Sequence, residues 1–145
     1  MTEENDIDRF LKAQESPFCG YEVALREISR GRKTSHWIWY IFPQLRCLGR
    51  SSTAHYYGIA DRAEAIRFLA HPVLGARIRE ITAAMLTHKG RSAESILGSI
   101  DAMKLCSSMT MLDCIAPGDI FAEVLEAFYD GGRCAVTLRM MQEQP

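Results

Sequence analysis

The chain has 145 residues, a length typical of one domain, with 48% hydrophobic and 24% charged residues. These proportions are those of a globular protein and exclude an intrinsically disordered chain. The formal net charge of −1 excludes broad nucleic-acid binding, which needs a basic surface. We therefore expect a single domain over residues 1–145.

The cysteines are odd in number and scattered, and no two have C-x-x-C spacing; they are Cys19, Cys47, Cys106, Cys114 and Cys134. This pattern predicts free thiols in a reducing compartment, most of them acting as small core residues. The first eight residues lack the apolar core of a signal peptide, and no apolar run approaches the ~20 residues that span a bilayer. We expect a cytoplasmic protein without membrane association, and the oligomeric state stays open.

Apolar residues recur at helical spacing along most of the chain. In chain order the apolar stripes cover residues 7–11, 21–28, 65–69, 74–85, 96–112, 121–128 and 134–141. Gly31 is placed to end the second stripe, and Asp61 and Asp119 are placed to cap the third and the sixth. The pattern predicts an all-α bundle of about six or seven helices.

The segment 36–59 does not follow this pattern. Trp37, Trp39 and Ile41 alternate with residues that are equally apolar, so periodicity does not separate a buried strand from a buried helical turn. Pro43 ends the run, and the connection over residues 43–61 is long, which is typical of functional loops. We allow one short strand pair here and leave the conformation of residues 37–60 open.

The first candidate site is the cationic segment, residues 30–37, with the sequence RGRKTSHW. Arginine and lysine bind phosphate or carboxylate, and aromatic rings stack on a planar ligand. With the second candidate site described below, the predicted ligand contacts are Arg32, Lys33 and Lys104 to the anion, Trp37, Trp39 or Tyr40 to a ring, and Ser107, Ser108 and Gln44 to orient it, with Thr110 also in the ligand site. His36 is the candidate acid–base group because its ordinary pKa is near neutrality. Alternatively, the cations only compensate the end of the preceding helix and the aromatic residues are core.

The second candidate site follows on a predicted helix. Asp101, Lys104, Ser107 and Ser108 lie three or four residues apart and so share a face, with Thr110 close behind. Lys104 and Ser107 could act as a Ser–Lys pair, although the known S-x-x-K motif runs in the opposite order. The alternative is an Asp101–Lys104 surface ion pair, with hydroxyls bonded to the preceding turn.

Metal and cofactor motifs are missing from the sequence. The histidines have no metal-ligand spacing and no accompanying carboxylate cluster. No dinucleotide fingerprint, phosphate-binding loop, nucleophile elbow or kinase signature occurs. We therefore predict neither a metal site nor a cofactor.

Three blocks carry a resemblance to a known family: GRKTSHWIWYIFPQLRCLGRSS, HPVLGARIRE and IDAMKLCSSMTMLD. They resemble the signature blocks of the domain of unknown function 1810 family, some bacterial members of which carry the label calpastatin. A calpastatin would be disordered and repetitive, which this sequence is not. The resemblance covers essentially the whole chain and implies a small, single-domain, mainly helical bacterial protein without an agreed activity. The first and third blocks coincide with the two candidate sites, which favours one shared pocket.

We expect the chain to bind a small anionic ligand, such as a nucleotide or a sugar phosphate. The sequence does not decide whether the ligand is turned over; if it is, His36, Lys104 and Ser107 are the candidate catalytic residues. The alternative is a protein-interaction module that docks a partner on an aromatic patch. A concave pocket joining the two segments favours ligand binding, whereas a flat exposed aromatic patch favours interaction.

Overall fold

The protein is described by a computed structural model over residues 3–143, with side chains from residue 7 onward. Within that range the fold is all-α, with ten α-helices, one 3₁₀ turn at Arg46–Leu48 and no strand. The helices are α1 Glu3–Gln14, α2 Tyr21–Arg30, α3 Ile38–Ile41, α4 Ser52–Tyr57, α5 Arg62–Ala70, α6 Pro72–Leu86, α7 Ala93–Leu97, α8 Ser99–Ile115, α9 Ile120–Tyr129 and α10 Ala135–Gln142. No helix among these residues is long and apolar enough to cross a bilayer.

The predicted helix ends are confirmed where a local signal marks them. Gly31 ends α2 in the left-handed conformation, with a φ of 79°. The carboxylate of Asp61 accepts a hydrogen bond from the Glu64 amide (2.9 Å), and that of Asp119 accepts one from the Ile120 amide (2.7 Å). Each signal depends on neighbouring residues only, so the sequence alone suffices to read it.

The predicted number of helices was too low, in part because the apolar stripe at 96–112 belongs to two helices. Gly98 separates α7 from α8 with a φ of 86°, which L-residues rarely adopt. Ile96 on α7 is buried, whereas Ile100 and Met103 on α8 are 70% and 71% exposed. The change of direction at Gly98 therefore places two expected core residues on the surface.

The aromatic run after the cationic segment is a buried helical turn, α3, rather than a strand. The expected strand pair is reduced to an isolated parallel bridge between Leu45 and Ile59. The Arg46 amide donates to the Ile59 carbonyl (2.8 Å), and the Ile59 amide donates to the Gln44 carbonyl (2.9 Å). The 3₁₀ turn that starts at Arg46 takes the chain out of the extended conformation, so the pairing ends there.

Helix α8 is central to the packing, because it contacts α5, α7, α9 and α10. Its buried apolar residues include Leu105, Met109 and Leu112, which join one hydrophobic cluster with residues from the first helix to the last. Helix α3 packs against α1 and α4. The two segments singled out in the sequence thus lie on a shared core.

A buried ion pair attaches α1 to α5. Arg9 Nη1 lies 2.8 Å from Glu64 Oε2, and both side chains are buried. Arg9 also donates to the carbonyls of Tyr56 and Gly58, and Glu64 accepts from the Ala60 amide. Both charges are surrounded by hydrogen-bond partners, which is the condition under which a buried pair is tolerated.

Replacing Arg9 with Met should lower the free energy of unfolding by about 3–5 kcal/mol, because Glu64 would be buried without a counter-charge. Urea denaturation followed by circular dichroism measures the loss. Lys12→Met is the matched control, since Lys12 is exposed on the same helix; its effect should stay within about 0.5 kcal/mol. Equal unfolding midpoints for Arg9→Met and the parent would contradict this role for the pair.

Candidate functional site

Glu27, near the end of α2, organises the cationic segment. Its carboxylate accepts hydrogen bonds from the amide and hydroxyl of Thr34 (2.8 and 3.0 Å), the amide and hydroxyl of Ser35 (3.0 and 2.5 Å) and the Trp37 indole (2.9 Å). Glu27 is only 7% exposed, and Trp37 is completely buried. These polar groups therefore bind one another inside the protein, and the Trp37 ring is closed to a stacking ligand.

The Glu27 carboxylate keeps its negative charge despite its burial. Burial alone would raise its pKa, but the hydrogen bonds from Ser35, Thr34 and Trp37 outweigh burial and lower the pKa to about 2. The charge is consequently present throughout the physiological pH range. The carboxylate accepts its hydrogen bonds from donors in the cationic segment itself.

Lys33 joins the cationic segment to α8. Its ammonium lies 2.7 Å from Asp101 Oδ2, donates to the Ser35 carbonyl (2.6 Å) and sits 4.9 Å from the centroid of the Trp37 ring. The Lys33 side chain is only 6% exposed. Its charge is thus paired inside the structure, and an incoming anion would have to compete with Asp101.

Lys104 lies on the other side of Asp101. Its ammonium is 4.0 Å from Asp101 Oδ1 and 5.3 Å from the Trp39 ring centroid, and its side chain is partly exposed. Lys104, Trp39 and Gln44 line a cavity of about 10 Å³, which holds one water molecule at most. The two candidate segments therefore meet, but the space between them is too small for a nucleotide.

The remaining residues of the cationic segment differ in placement. Arg32 and His36 are exposed at the surface. Tyr40 is buried, and its hydroxyl donates to the Cys19 carbonyl (2.8 Å). Burial raises the pKa of Tyr40 to about 12, with a smaller contribution from Cys19. The Tyr40 ring belongs to the core rather than to an open surface.

Two hydroxyls of α8 bond to the preceding turn, as the alternative interpretation of the sequence expects, and a third does not. Ser107 donates to the Met103 carbonyl (3.2 Å), and Thr110 donates to the Cys106 carbonyl (2.8 Å). Ser108 is fully buried, and its hydroxyl has no hydrogen-bond partner among the residues that the structure describes.

Ser107 and Lys104 face different spaces. Lys104 lines the narrow cavity beside Trp39, whereas Ser107 lines a separate cleft and lies 3.4 Å from Cys134 Sγ. The Ser–Lys pair considered from the sequence is therefore not assembled. The helical spacing places the two residues on one side of α8, but each of them lines a space that α8 forms with different neighbouring elements.

The cleft that Ser107 lines has a volume of about 390 Å³. It lies between α7, α8, α9 and the residues just before α10, and we call it the thiol cleft. Side chains that line it include Met103, Cys106, Ser107, Phe128, Tyr129 and Cys134. Its volume is in the range of small-molecule sites, and its lining combines apolar surface with a few polar atoms.

The pKa values of the two thiols in the thiol cleft are shifted in opposite directions. Burial would raise the pKa of Cys134, but hydrogen bonds from Ser107 (3.4 Å) and Thr137 (3.1 Å) outweigh it, and the pKa is lowered. The pKa of Cys106 is raised by burial and by the neighbouring charge of Cys134. The thiol of Cys106 is placed to donate to the Gly132 carbonyl at 3.9 Å.

The thiol cleft is not predicted by the sequence, in which most of the cysteines are expected to be core residues. That expectation was wrong, since Cys47 is exposed and the other four are only partly buried. A local signal was present: Cys134 follows the Gly131–Gly132 turn and directly precedes α10. A helix N-terminus lowers the pKa of a thiol. Over residues 7–143, no three His, Cys, Asp or Glu side chains converge to hold a metal ion.

Comparison with known proteins identifies relatives of the chain. The model of a family described as "Protein of unknown function (DUF1810)" matches residues 4–141. The crystal structure of the conserved hypothetical protein Rv1873 from Mycobacterium tuberculosis is similar, with 40% sequence identity and a TM-score of 0.89. The alignment covers 94% of this chain and 96% of that one. No curated protein matched the sequence.

Replacing Glu27 with Gln should lower the free energy of unfolding at pH 7 by about 2 kcal/mol or more, because hydrogen bonds to a charged group contribute about 1.5–3 kcal/mol each. The parent should lose this stabilisation as the pH falls from about 4.5, the ordinary pKa, to about 2, the pKa in the folded protein. The free energy of unfolding of Glu27→Gln should decrease less steeply over that pH range.

Urea denaturation at several pH values measures both effects. Glu22→Gln serves as the control, because Glu22 is exposed on the same helix. If the free energy of unfolding falls equally with decreasing pH in Glu27→Gln and in the parent, the Glu27 carboxylate is not the cause of this pH dependence.

Proposed function

The chain belongs to this family of proteins of unknown function, and from its geometry we propose that it binds a small, mainly apolar molecule in the thiol cleft. The observation that supports this proposal is the cleft of about 390 Å³, where Met103 and Phe128 lie beside the polar atoms of Ser107 and Cys134. Sites for small molecules commonly combine such an apolar lining with a few groups that fix orientation.

A neutral ligand suits the thiol cleft better than an anion. None of the described residues that line it is a lysine or an arginine, and Glu94 contributes a carboxylate at its edge. The anionic ligand expected from the sequence would use Arg32, Lys33 and Lys104, and that site stays a prediction. Asp101 already neutralises Lys33, which weighs against it.

Another depression of the surface is less suited to an apolar ligand. The groove between α6 and α9 has a volume of about 510 Å³, but it is open and its lining includes Lys89, Glu123 and Glu126. These side chains are exposed, and a ligand would have to displace the water that hydrates them. The thiol cleft carries a smaller desolvation cost.

The second candidate function is protein interaction. Ile100 and Met103 are neighbours on α8 and are 70% and 71% exposed, and exposed apolar neighbours favour a partner surface. This pair is aliphatic, unlike the aromatic patch considered from the sequence. The exposed aromatic residues Phe18 and Tyr56 lie before α2 and on α4, away from α8 along the chain.

We also propose a cytoplasmic location in a bacterial cell. All five cysteines are free, as expected in a reducing compartment, and the similar crystal structure is that of a mycobacterial protein. Fractionation of cells that express the full chain should recover it with a cytoplasmic marker. Recovery with a membrane or secreted marker would contradict this location.

Met103 and Ile100 provide a matched test of ligand binding, because both are exposed on α8 but only Met103 lines the thiol cleft. A library of small neutral molecules, screened by thermal shift under reducing conditions, should yield ligands that raise the melting temperature of the parent. Met103→Arg should weaken their binding at least tenfold, whereas Ile100→Arg should leave it unchanged.

The same variants distinguish the second function. Ligands that bind Met103→Arg as tightly as the parent would rule out the thiol cleft as their site. If instead a protein partner is lost equally with Met103→Arg and Ile100→Arg, the exposed apolar pair is an interaction surface.

A further inference from the structure

We propose that Cys134 and Cys106 form a redox-active thiol pair, in which Cys134 attacks a hydroperoxide and Cys106 then closes a disulfide. This inference rests on the proposed function only in that the hydroperoxide enters the thiol cleft. It assigns to that cleft a chemical step and a substrate class.

The geometry places the two cysteines at one site from two separate elements. Cys106 lies on α8, Cys134 directly precedes α10, and both line the thiol cleft. The Thr110 hydroxyl connects their backbones, because it donates to the Cys106 carbonyl (2.8 Å) and accepts from the Cys134 amide (3.0 Å). Ser107, next to Cys106 in the chain, reaches the Cys134 sulfur at 3.4 Å.

The surroundings of the two sulfur atoms assign their roles. Cys134 receives hydrogen bonds from Ser107 and Thr137 and precedes an eight-residue helix, so its thiolate is stabilised. Burial and the charge of Cys134 raise the pKa of the Cys106 thiol, which favours its protonated form. The thiolate is the group that attacks first, and the protonated thiol is held in reserve as the resolving group.

The reaction balances without a metal or a bound cofactor. The Cys134 thiolate attacks the terminal oxygen of the hydroperoxide, so that an S–O bond forms and the O–O bond breaks. The leaving oxygen takes a proton from water and departs as an alcohol, or as water when the substrate is hydrogen peroxide. Cys134 is then a sulfenic acid.

The second step consumes the sulfenic acid. Cys106 loses its proton and attacks the Cys134 sulfur, which forms the disulfide and releases the hydroxyl group as water. Two thiols have been oxidised and one hydroperoxide has been reduced. A dithiol reductant from outside the chain would return both residues to thiols.

The lining of the thiol cleft supports an organic hydroperoxide as the substrate. Met103 and Phe128 provide apolar surface for the organic group. The single proton of the Ser107 hydroxyl is now shared between the Cys134 sulfur and the Met103 carbonyl, and rotation of the hydroxyl lets it donate to a peroxide oxygen instead. Apolar surface beside a thiolate and a hydroxyl donor is the arrangement that such a molecule needs.

The first experiment measures which thiol is nucleophilic. Alkylation of the full chain by iodoacetamide is followed at each cysteine by peptide mass spectrometry as the pH is varied. Cys134 should react with a midpoint below about 8.5, the ordinary thiol pKa, and faster at pH 7 than the exposed Cys47. Ser107→Ala should raise the Cys134 midpoint, whereas Ser99→Ala, which alters the same cleft but no bond to sulfur, should not.

The second experiment tests the oxidation. One equivalent of tert-butyl hydroperoxide should lower the mass of the full chain by two hydrogens and yield a peptide that links Cys106 to Cys134. Cys106→Ser should stop at a sulfenic acid on Cys134, which dimedone traps. Cys134→Ser should abolish both products, and Cys114→Ser should change neither.

Two outcomes would overturn the thiol pair: oxidation that proceeds unchanged in Cys134→Ser, or a disulfide that joins other cysteines. These outcomes are separable from failure of the proposed function. Ligand binding is measured under reducing conditions with Met103→Arg and does not depend on the redox chemistry. Ligands can therefore bind even if the thiol pair does not react, and the thiol pair can react even if the screened ligands do not bind.

Discussion

The charge of Glu27 is the interaction on which the candidate region depends. One buried carboxylate gathers donors from Thr34, Ser35 and Trp37, and this fixes the path of the chain between α2 and α3. The fixed path seats the Trp37 ring in the core and holds Lys33 against Asp101 on α8. The polar groups of Thr34, Ser35 and Trp37 therefore bond within the fold, whereas Arg32 and His36 in the same segment are exposed.

The thiol cleft shows the opposite arrangement. Its polar groups are fewer, but the sulfur of Cys134 lies at a lining position where space remains. Ser107 and Thr137 are small donors that stabilise a charge without filling the cleft. Sites that bind or react need such unfilled space beside groups whose ionisation has been shifted.

Local signals in the sequence predicted the parts of the fold that local interactions decide. The end of α2 at Gly31 and the cap at Asp61 each depend on a few neighbouring residues. The conformation of residues 38–41 could not be predicted, because an evenly apolar run has no periodicity. The neutralisation of the Lys33 charge by Asp101 could not be predicted either, since only the tertiary fold brings these residues together. The pairing of Cys134 with Ser107 has the same origin, whereas Thr137 lies only three residues from Cys134 in the chain.

The junction at Gly98 is constrained by handedness and not by space. Apart from Gly98 and its two chain neighbours, no described atom lies within 4 Å of where the Cβ of an L-residue would stand, yet the backbone holds a φ of 86° and a ψ of 161°. When the signs of both angles are reversed, as in the mirror-image conformation, they fall in the extended region that L-residues prefer. A D-alanine introduced by chemical synthesis would therefore adopt these backbone angles without strain and would restrict the unfolded chain, whereas L-alanine would be strained there. The direction in which α8 leaves α7 thus depends on the absence of an L side chain at this one position.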